Sequence, residues 1–301
     1  RALQAGAPLF DLRTQAASAL ALTDAGDLDP VGEISAAGHR VIWSPGATHA
    51  VLTATASGRT RIVDRGTGRE IAGFDTEPRV LEVFVSPGAR WLVTTHEGYH
   101  LSLWDTSDGK KRWTLPAAKH APTVSFSNDG TWLVASADNG IMAHACAEGQ
   151  TVELKPGTPP LRSILLSPDG QWIAALPETE EEGKPAGDLG FRIYAGLPGS
   201  MPTPEEVAGV RESKIESDIR LEGPSISADS RYLAAAVSED RLRVWEMPSM
   251  SQVAWLRGHQ RSVRGTAFHP GDSSIIASTS WDGTTQLWDI PTRQRILAIP
   301  S

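Results

Sequence analysis

The sequence predicts an all-β protein that is built from repeated four-stranded antiparallel units. Three observations lead to this prediction. A turn motif recurs along most of the 301 residues, and short apolar runs flank most copies. A column of mainly aromatic or apolar residues follows, with one member at an equivalent position in each unit. A period of roughly 20 to 50 residues is typical of repeat architectures, so the period decides every later inference.

The turn motif is Ser-Pro-Gly, Ser-Pro-Asp-Gly or a relative of either. Proline presets φ near about −65° and glycine accepts positive φ without steric cost, so the motif predicts a tight turn between two strands. Successive copies are 42, 41, 40, 60 and 42 residues apart. They begin at Ser44, Ser86, Ser127, Ser167, Ser227 and, with His in place of Ser, at His269.

Short runs rich in Val, Ile, Leu and aromatic residues predict the first two strands of each unit. Turn residues stand at both ends of these runs, which is typical of half-buried strands. First strands are predicted at residues 40–43, 80–85, 123–126, 161–166, 224–226 and 263–268. Second strands are predicted at the runs that contain Trp91, Trp132, Trp172 and Tyr232.

A third column of residues marks the third strand of each unit, and a shorter fourth strand follows it. The column members are Phe10, Val63, Trp104, His144, Tyr194, Trp245 and Trp288. Fourth strands are predicted at residues 69–74, 111–115, 252–256 and 294–299. Four strands per unit of roughly 42 residues are the signature of a β-propeller, in which each blade covers its apolar faces with its neighbours.

With this period the chain resembles the WD-repeat family, over about 260 residues. The last repeat carries the fullest set of family motif residues, which are His259, Ser278 or Ser280, Asp282 and Trp288. The resemblance implies that these side chains form a hydrogen-bonded network inside the blade. The third and fifth full units hold parts of the set, and in the others we expect packing alone to hold the sheet. The divergent, Trp- and Ala-rich repeats are similar to bacterial members of the family.

We therefore predict one propeller domain over residues 1–301 with seven blades. Residues 9–13 and 18–23 align with the third and fourth strands of the last repeat and predict a half blade, although a helix over residues 14–22 is the alternative that their alanine content favours. Two polar insertions, 177–189 and 196–206, explain the 60-residue interval and are predicted to be exposed loops on opposite faces. The predicted blades are 1–24 (partial), 39–79, 80–120, 121–160, 161–221, 222–261 and 262–301.

Composition argues against several classes of function. The formal net charge is −8, from 28 basic and 36 acidic residues, so we expect no nucleic-acid partner. The sequence contains no apolar run of about 18 residues, and we expect no membrane span. Cys146 is the one cysteine of the chain, which rules out an internal disulfide and mildly favours the cytoplasm. The chain begins with Arg1, so we expect a fragment of a longer protein.

Catalytic and metal-binding patterns are weak. His144 and Cys146 share a strand face, and His96 and His100 lie in the neighbouring unit. His144 occupies the Trp column, however, so we interpret it as a buried, hydrogen-bonded histidine and expect no metal site. The sequence has no Gly-x-Ser-x-Gly elbow of the kind that hydrolases use. We expect no cofactor.

A second resemblance leaves one enzymatic alternative open. Residues 105–113 are similar to the tryptophan-docking repeat of quinoprotein propellers, with Asp, Gly, Lys and Trp at that family's spacings. This resemblance implies a PQQ-type quinone enzyme or a non-catalytic relative of one. Those enzymes repeat the motif around the ring and need cofactor ligands that the sequence does not show, and the same residues suit any tight strand connection.

A propeller without catalytic residues is a rigid disc, and the WD-repeat resemblance implies that it binds a protein or peptide on the face where the first strands begin. We predict a non-catalytic scaffold or sensor domain within a larger bacterial signalling protein. Trp281 and Arg264 are the predicted anchors, because aromatic and arginine side chains carry most interface energy and neither position has an evident role in folding. The alternative is that Trp281 only packs on an adjacent loop. Register with the last repeat adds Glu222, Glu239, Arg162, Asp138, His96 and His39 to this face.

Overall fold

The computed structural model describes residues 39–44, 48–115, 122–137, 140–156, 161–177, 190–195, 211–212, 221–237 and 240–300. Within these ranges the chain forms 24 β-strands and one 3₁₀ turn at Pro87–Ala89, and it forms no α-helix. No helix in this part of the chain is long and apolar enough to cross a membrane. The strands fall into two compact units, one that ends at Leu166 and one that continues from Ser167.

The strands of the first unit follow each other closely along the chain. They are β1 His39–Trp43, β2 His49–Ala54, β3 Arg59–Asp64, β4 Glu70–Asp75, β5 Val80–Val85, β6 Trp91–His96, β7 Leu101–Asp105, β8 Lys110–Leu115, β9 Val124–Phe126, β10 Trp132–Ala137, β11 Gly140–Ala145, β12 Thr151–Pro156 and β13 Leu161–Leu166.

The second unit contains the remaining strands. They are β14 Trp172–Pro177, β15 Arg192–Ala195, β16 Arg211–Glu212, β17 Leu221–Ile226, β18 Tyr232–Val237, β19 Arg241–Glu246, β20 Ser251–Arg257, β21 Val263–Phe268, β22 Ile275–Ser280, β23 Thr284–Asp289 and β24 Gln294–Pro300.

In the described residues the strands form six four-stranded sheets, and in each sheet the strands lie in chain order. Sheet 1 is β1–β4, sheet 2 is β5–β8, sheet 3 is β9–β12, sheet 4 is β13–β16, sheet 5 is β17–β20 and sheet 6 is β21–β24. Neighbouring strands pair antiparallel, which is the arrangement that short turns allow. The predicted all-β class and its four-stranded antiparallel units are confirmed.

A serine hydroxyl closes the turn between the first and second strands. In sheet 3, Oγ of Ser127 accepts a hydrogen bond from the N–H of Trp132 at 2.9 Å and donates one to Oδ1 of Asp129 at 2.6 Å. Gly130 follows with φ +69°, in the left-handed region that glycine adopts without strain. Ser167 and Ser227 make the same pair of bonds, so the turn motif also supplies side-chain hydrogen bonds.

The third-strand column occupies an equivalent place in every sheet. Each of its six described members faces the second residue of the preceding strand, and this equivalence confirms the prediction for them. Phe10 lies outside the described residues. The pairs are Val63 with Ala50, Trp104 with Leu92, His144 with Leu133, Tyr194 with Ile173, Trp245 with Leu233, and Trp288 with Ile276.

Neighbouring sheets within a unit bury their apolar faces against each other. In the first unit, Trp91 and Leu103 of sheet 2 share one buried cluster with Val124 and Leu133 of sheet 3. In the second unit, sheets 5 and 6 share another such cluster. Each fully buried aliphatic side chain contributes about 1.5 to 3 kcal/mol, so these shared clusters are the main stabilising term of the sheets.

Several predictions concern residues outside the described ranges. The half blade at 1–24, the alternative helix at 14–22 and most of both insertions fall there, so seven blades and the blade boundaries stay predictions. The strands beside the first insertion end at Pro177 and resume at Arg192, and β15 ends at Ala195, where the second insertion was predicted to begin.

Candidate partner-binding surface at Arg264 and Trp281

Arg264 lies at a β-bulge near the start of the first strand of sheet 6. Val263 pairs with Ser280 and Gly265 pairs with Thr279, so Arg264 is the extra residue between two ladder positions. A bulge bends its strand and redirects the side chain of the extra residue. Arg264 therefore takes no regular ladder position in β21.

The first strand of sheet 5 has a bulge at the matching end, between Glu222 and Ser225. Gly223 within this bulge adopts φ +51°, and a Cβ at this position would lie 2.5 Å from the carbonyl oxygen of Arg264. Thr266 donates a hydrogen bond through Oγ1 to the Gly223 carbonyl at 2.7 Å. Because only glycine permits so close an approach, Gly223 lets β17 and β21 bring Glu222 and Arg264 together.

The guanidinium of Arg264 contacts both Glu222 and Trp281. Nη1 of Arg264 lies 2.5 Å from Oε2 of Glu222, and the guanidinium carbon lies 5.6 Å from the centroid of the Trp281 ring. The side chains of Arg264 and Glu222 are 22% and 9% exposed. Removing one partner of so shielded a pair leaves an uncompensated charge, so Arg264 stabilises the fold. Arg264 therefore has a role in folding that the sequence does not make evident.

Trp281 is partly exposed, and hydrogen bonds fix the backbone around it. Its N–H donates to the carbonyl oxygen of Ser262 at 3.0 Å, and Oγ of Ser280 donates to the carbonyl oxygen of Arg261 at 2.8 Å. These bonds tie the β22–β23 hairpin to the loop that precedes β21. An aromatic ring on a fixed backbone loses little conformational freedom when a partner covers it.

A buried network holds the same loop and hairpin together. His259 Nδ1 lies 2.8 Å from Asp282 Oδ2, and His259 Nε2 lies 2.7 Å from Ser278 Oγ, which accepts a hydrogen bond from Trp288 Nε1 at 2.8 Å. Since the Asp282 carboxylate can only accept, Nδ1–H of His259 donates to it, and in the neutral imidazole Nε2 then accepts from the Ser278 hydroxyl. Ser278 is thus the serine that bonds the histidine, whereas Ser280 bonds the neighbouring loop.

Burial and hydrogen bonding set the charges in this network. Burial lowers the pKa of His259, although the Asp282 carboxylate opposes the shift. Burial by itself would raise the pKa of Asp282, but hydrogen bonds from Gln260, Thr284 and His259 hold that pKa below its ordinary value. A neutral imidazole beside an ionised carboxylate agrees with the tautomer inferred from the distances.

The structure places the other predicted face residues differently. His96 ends β6 and is 3% exposed, with its ring bonded to Thr94 and to the Pro78 carbonyl, so it is inaccessible to a partner and that prediction needs correction. Arg162 lies on β13 and is partly buried. The structure does not describe Glu239, Asp138 or the side chain of His39.

Sheet 2 contains a polar network that the sequence analysis missed. Trp104 Nε1 donates to Thr94 Oγ1 at 2.9 Å, and Thr94 Oγ1 lies 2.8 Å from His96 Nε2. Glu77, in the loop before β5, lies 2.8 Å from His100 Nε2 through Oε2. The expectation that packing alone holds this sheet is therefore wrong. The signal available in the sequence was a carboxylate in the loop before the first strand, because Glu77 lies one residue past the position that matches His259 of the last repeat.

Among the described residues, one group of side chains could hold a metal ion. Glu77, His96 and His100 each offer one ligand atom, and these atoms lie within 4.8 Å of one another. His144 and Cys146 do not form such a group. His144 Nδ1 is 2.9 Å from Thr151 Oγ1, and burial raises the pKa of Cys146 to about 12, which keeps the thiol protonated.

The segment that is similar to the quinoprotein repeat forms the connection between β7 and β8. Asp105 accepts hydrogen bonds from the N–H and hydroxyl of Ser107 at 3.0 and 2.6 Å, and from Arg112 Nη2 at 2.8 Å. Trp113 Nε1 donates to the Cys146 carbonyl of sheet 3 at 3.4 Å. These bonds join the polar residues of the segment to each other, as in any tight strand connection.

Comparison with known proteins matches one repeat to a family model. The model described as WD domain, G-beta repeat, matches residues 250–289. This stretch runs from β20, the last strand of sheet 5, through β23, the third strand of sheet 6. The sequence repeat is therefore offset by one strand from the sheets, and one repeat joins two neighbouring sheets.

Curated relatives cover parts of the chain. WD repeat-containing protein WDS homolog from Arabidopsis thaliana is 24% identical over 241 residues, which are 67% of this chain and 45% of that protein. WD repeat-containing protein 75 from Danio rerio is 38% identical over 73 residues, which are 24% of this chain and 9% of that protein. The chain thus spans less than half the length of either relative. Both organisms are eukaryotes, so the bacterial character of the repeats stays a prediction.

Two solved structures share the fold over most of the chain. Kuenenia stuttgartiensis hydrazine synthase superposes with a TM-score of 0.65 at 13% identity, over 87% of this chain and 86% of that one. The structure titled "Complex of KlAtg21 with coiled-coil of AgAtg16" superposes with a TM-score of 0.68 at 16% identity, over 86% of this chain and 84% of that one. The predicted fold class, a β-propeller of four-stranded antiparallel blades, is confirmed, and the chain is similar to WD-repeat proteins.

Proposed function

We propose that this chain is a non-catalytic interaction module that binds a protein or peptide at the surface formed by Trp281, Arg264 and Glu222. The position of Trp281 is the observation that supports this proposal most. The residue is partly exposed, the Arg264 guanidinium lies 5.6 Å from the centroid of its ring, and its backbone N–H donates to the Ser262 carbonyl. A pre-positioned aromatic side chain next to an arginine is the residue combination that dominates protein interfaces.

The charges at this surface favour an apolar anchor from the partner. Glu222 lies 2.5 Å from Arg264 and balances its charge, so the pair offers no net positive field for a phosphate group. The ring of Trp281 is the main apolar area that a partner would cover. An aliphatic or aromatic side chain on a protein or peptide suits this arrangement.

The likenesses support the same kind of function. The similar proteins named above are WD-repeat proteins, and one similar structure is titled as a complex with a coiled coil. The resemblance to bacterial repeats extends the proposal to a scaffold or sensor domain within a larger signalling protein in the cytoplasm. Reading the gene on both sides of this segment tests that extension, because an adjoining kinase, protease or nucleotide-binding module would support it and a gene that encodes no further domain would contradict it.

A pair of tryptophan variants tests the surface. Trp281→Ala should weaken capture of partners from extract of the source cell by about 1 to 3 kcal/mol, with an unchanged melting temperature. Trp255→Ala is the matched control, because Trp255 on β20 is also partly buried and lies 4.5 Å from an arginine, Arg243. Equal capture by both variants would contradict the proposed surface.

Arginine variants need a stability control of their own. Arg264→Glu sets two carboxylates against each other at a pair that is mostly shielded from water, so we expect a lower melting temperature as well as weaker capture. The exchanged double variant, Glu222→Arg with Arg264→Glu, should recover the melting temperature. If it recovers stability but not capture, the arginine contacts the partner directly.

A quinone-dependent enzyme is the second candidate, and the segment 105–113 is the observation that favours it. Such an enzyme would take up pyrroloquinoline quinone in stoichiometric amount together with a divalent cation and gain a visible absorption band. The interaction module should show neither. Stoichiometric quinone uptake would overturn the non-catalytic proposal.

A further inference from the structure

Two imidazoles and one carboxylate converge beside the β6–β7 hairpin of sheet 2. His96 ends β6 and His100 directly precedes β7, so the two residues face each other across the hairpin, where their rings stack with centroids 4.8 Å apart. Glu77 reaches them from the loop before β5. Oε2 of Glu77 lies 2.8 Å from His100 Nε2 and 3.9 Å from His96 Nε2.

The Glu77 carboxylate is held in one orientation. Its Oε1 accepts hydrogen bonds from Ser102 Oγ at 3.0 Å and from Lys111 Nζ at 2.7 Å, so Oε2 is the atom turned toward the histidines. Burial by itself would raise the pKa of Glu77, but the bonds from Lys111, His100 and Ser102 lower it to about 2. The carboxylate is therefore ionised at neutral pH, as a metal ligand must be.

The ring of His96 is also oriented. Its Nδ1 lies 3.2 Å from the Pro78 carbonyl oxygen, to which the Nδ1–H donates. This leaves the lone pair on Nε2, where the Thr94 hydroxyl now donates at 2.8 Å. A histidine that ligates a metal through Nε2 generally has its Nδ1–H fixed in this way by a carbonyl or carboxylate.

We propose that Glu77 Oε2, His96 Nε2 and His100 Nε2 bind one divalent transition-metal ion of the zinc class. Two nitrogen ligands favour Zn²⁺, Co²⁺ or Ni²⁺ over Mg²⁺ and Ca²⁺, which prefer oxygen. Metal–ligand bonds of about 2.0 to 2.2 Å place tetrahedral ligands about 3.4 Å apart, and the two measured Glu77 to histidine separations, 2.8 and 3.9 Å, lie on either side of that value.

Binding requires a small rearrangement that the structure permits. The two rings are nearly parallel, at 15°, so the His100 ring must turn toward Glu77 for both Nε2 atoms to point at one ion. His100 is 27% exposed and lies in the hairpin turn, which gives its ring room to turn. When the ion binds, the Nε2 proton that His100 donates to Glu77 moves through solvent to Nδ1 of the same ring, which leaves the Nε2 lone pair for the metal. The exposed side of the site leaves a fourth position for water.

The positive charge of Lys111 lets the proposal predict the direction in which a variant changes metal affinity. Lys111 Nζ lies 2.7 Å from the same carboxylate and repels a cation bound there. Removing that charge should therefore tighten metal binding, although it removes a bond to Glu77. A network that only stabilises the sheet predicts no gain of metal affinity from this change. The inference does not depend on the proposed partner surface, which involves other residues.

Calorimetric titration of the full chain with Zn²⁺, and absorbance titration with Co²⁺, test the site. We expect one saturable site, weakened at least about 10-fold in Glu77→Gln and in His100→Ala, and tightened in Lys111→Met. His49→Ala is the matched control, since His49 is a partly exposed histidine bonded to Thr48, and it should bind as the wild type does. No saturable binding, equal binding of Mg²⁺, or unchanged affinity in His100→Ala would overturn the proposal.

Discussion

In sheet 6 the indole of Trp288 donates to Ser278, and in sheet 2 the indole of Trp104 donates to Thr94, at 2.8 and 2.9 Å. Each hydroxyl then contacts a histidine Nε2. The histidines come from different places, however. In sheet 6 the histidine stands in the loop before the first strand, whereas in sheet 2 it ends the second strand, at the ladder position that Ser280 holds in sheet 6.

The carboxylate also lies in a different element in each sheet, and its change of place is the reverse of the histidine's. Asp282 lies in the hairpin of sheet 6 and bonds a histidine from the loop, while Glu77 lies in the loop of sheet 2 and contacts histidines from the hairpin. The loop and the hairpin are thus tied by an imidazole and a carboxylate in both sheets, with the two groups exchanged. The comparison teaches that a repeat can keep a bonding pattern without keeping the residue order that a motif search detects.

Removing the indole should have the largest effect in both sheets. Trp288→Ala leaves a cavity in a fully buried site and removes the hydrogen bond that Ser278 accepts, so it should lower the free energy of unfolding by about 3 to 5 kcal/mol. Trp104 is 7% exposed against 1% for Trp288, so Trp104→Ala should cost somewhat less. Urea denaturation measures both. A loss below about 1 kcal/mol for either would show that its sheet does not depend on the column.

Removing the carboxylate should lower the free energy of unfolding by different amounts in the two networks. Asp282→Ala leaves His259 and the Gln260 N–H without their acceptor at a site where the carboxylate side chain is 9% exposed, so we expect a loss of about 1 to 3 kcal/mol. Glu77 is 30% exposed, and water can replace its bonds, so Glu77→Ala should cost less. Glu70→Ala, which breaks the exposed ion pair with Arg61, gives a baseline near about 0 to 1 kcal/mol. Equal losses for Asp282 and Glu77 would contradict the ranking.

The repeat period and the turn chemistry made the fold predictable. Both signals are local, because a Ser-Pro-Asp-Gly turn and a short run of apolar residues fold in the same way in each copy. The column at Trp104, His144 and Trp288 was predictable for the same reason. The roles of Arg264 and Glu222 were not, because their pairing depends on two bulges and on Gly223, which bring together residues 42 positions apart. The role of Glu77 was not predictable because a glutamate in this loop departs from the residue type and position of the family motif.

In sheet 3 the column position holds His144 in place of tryptophan, and of the three column residues it should give the smallest effect at neutral pH. It is buried beside the ring of Trp113, 5.5 Å away between centroids, and bonds Thr151, which is exposed and can bond water instead. His144→Phe keeps an aromatic ring in the column. We expect it to change the free energy of unfolding by less than about 1.5 kcal/mol at pH 7.5.

The effect of His144→Phe should depend on pH in a predictable direction. Burial lowers the pKa of His144 from 6.5 to about 4, so between these values the unfolded chain binds a proton that the folded chain does not. The stability that neutral His144 provides is complete above pH 6.5, is lost as the pH falls toward 4, and changes no further below that. The wild type should therefore lose more stability than His144→Phe between pH 6.5 and 4, as measured by urea denaturation across this range. Parallel plots of unfolding free energy against pH for the two proteins would contradict this. They would show that His144 becomes protonated as readily in the folded state as in the unfolded one, and that its site in sheet 3 is open to water.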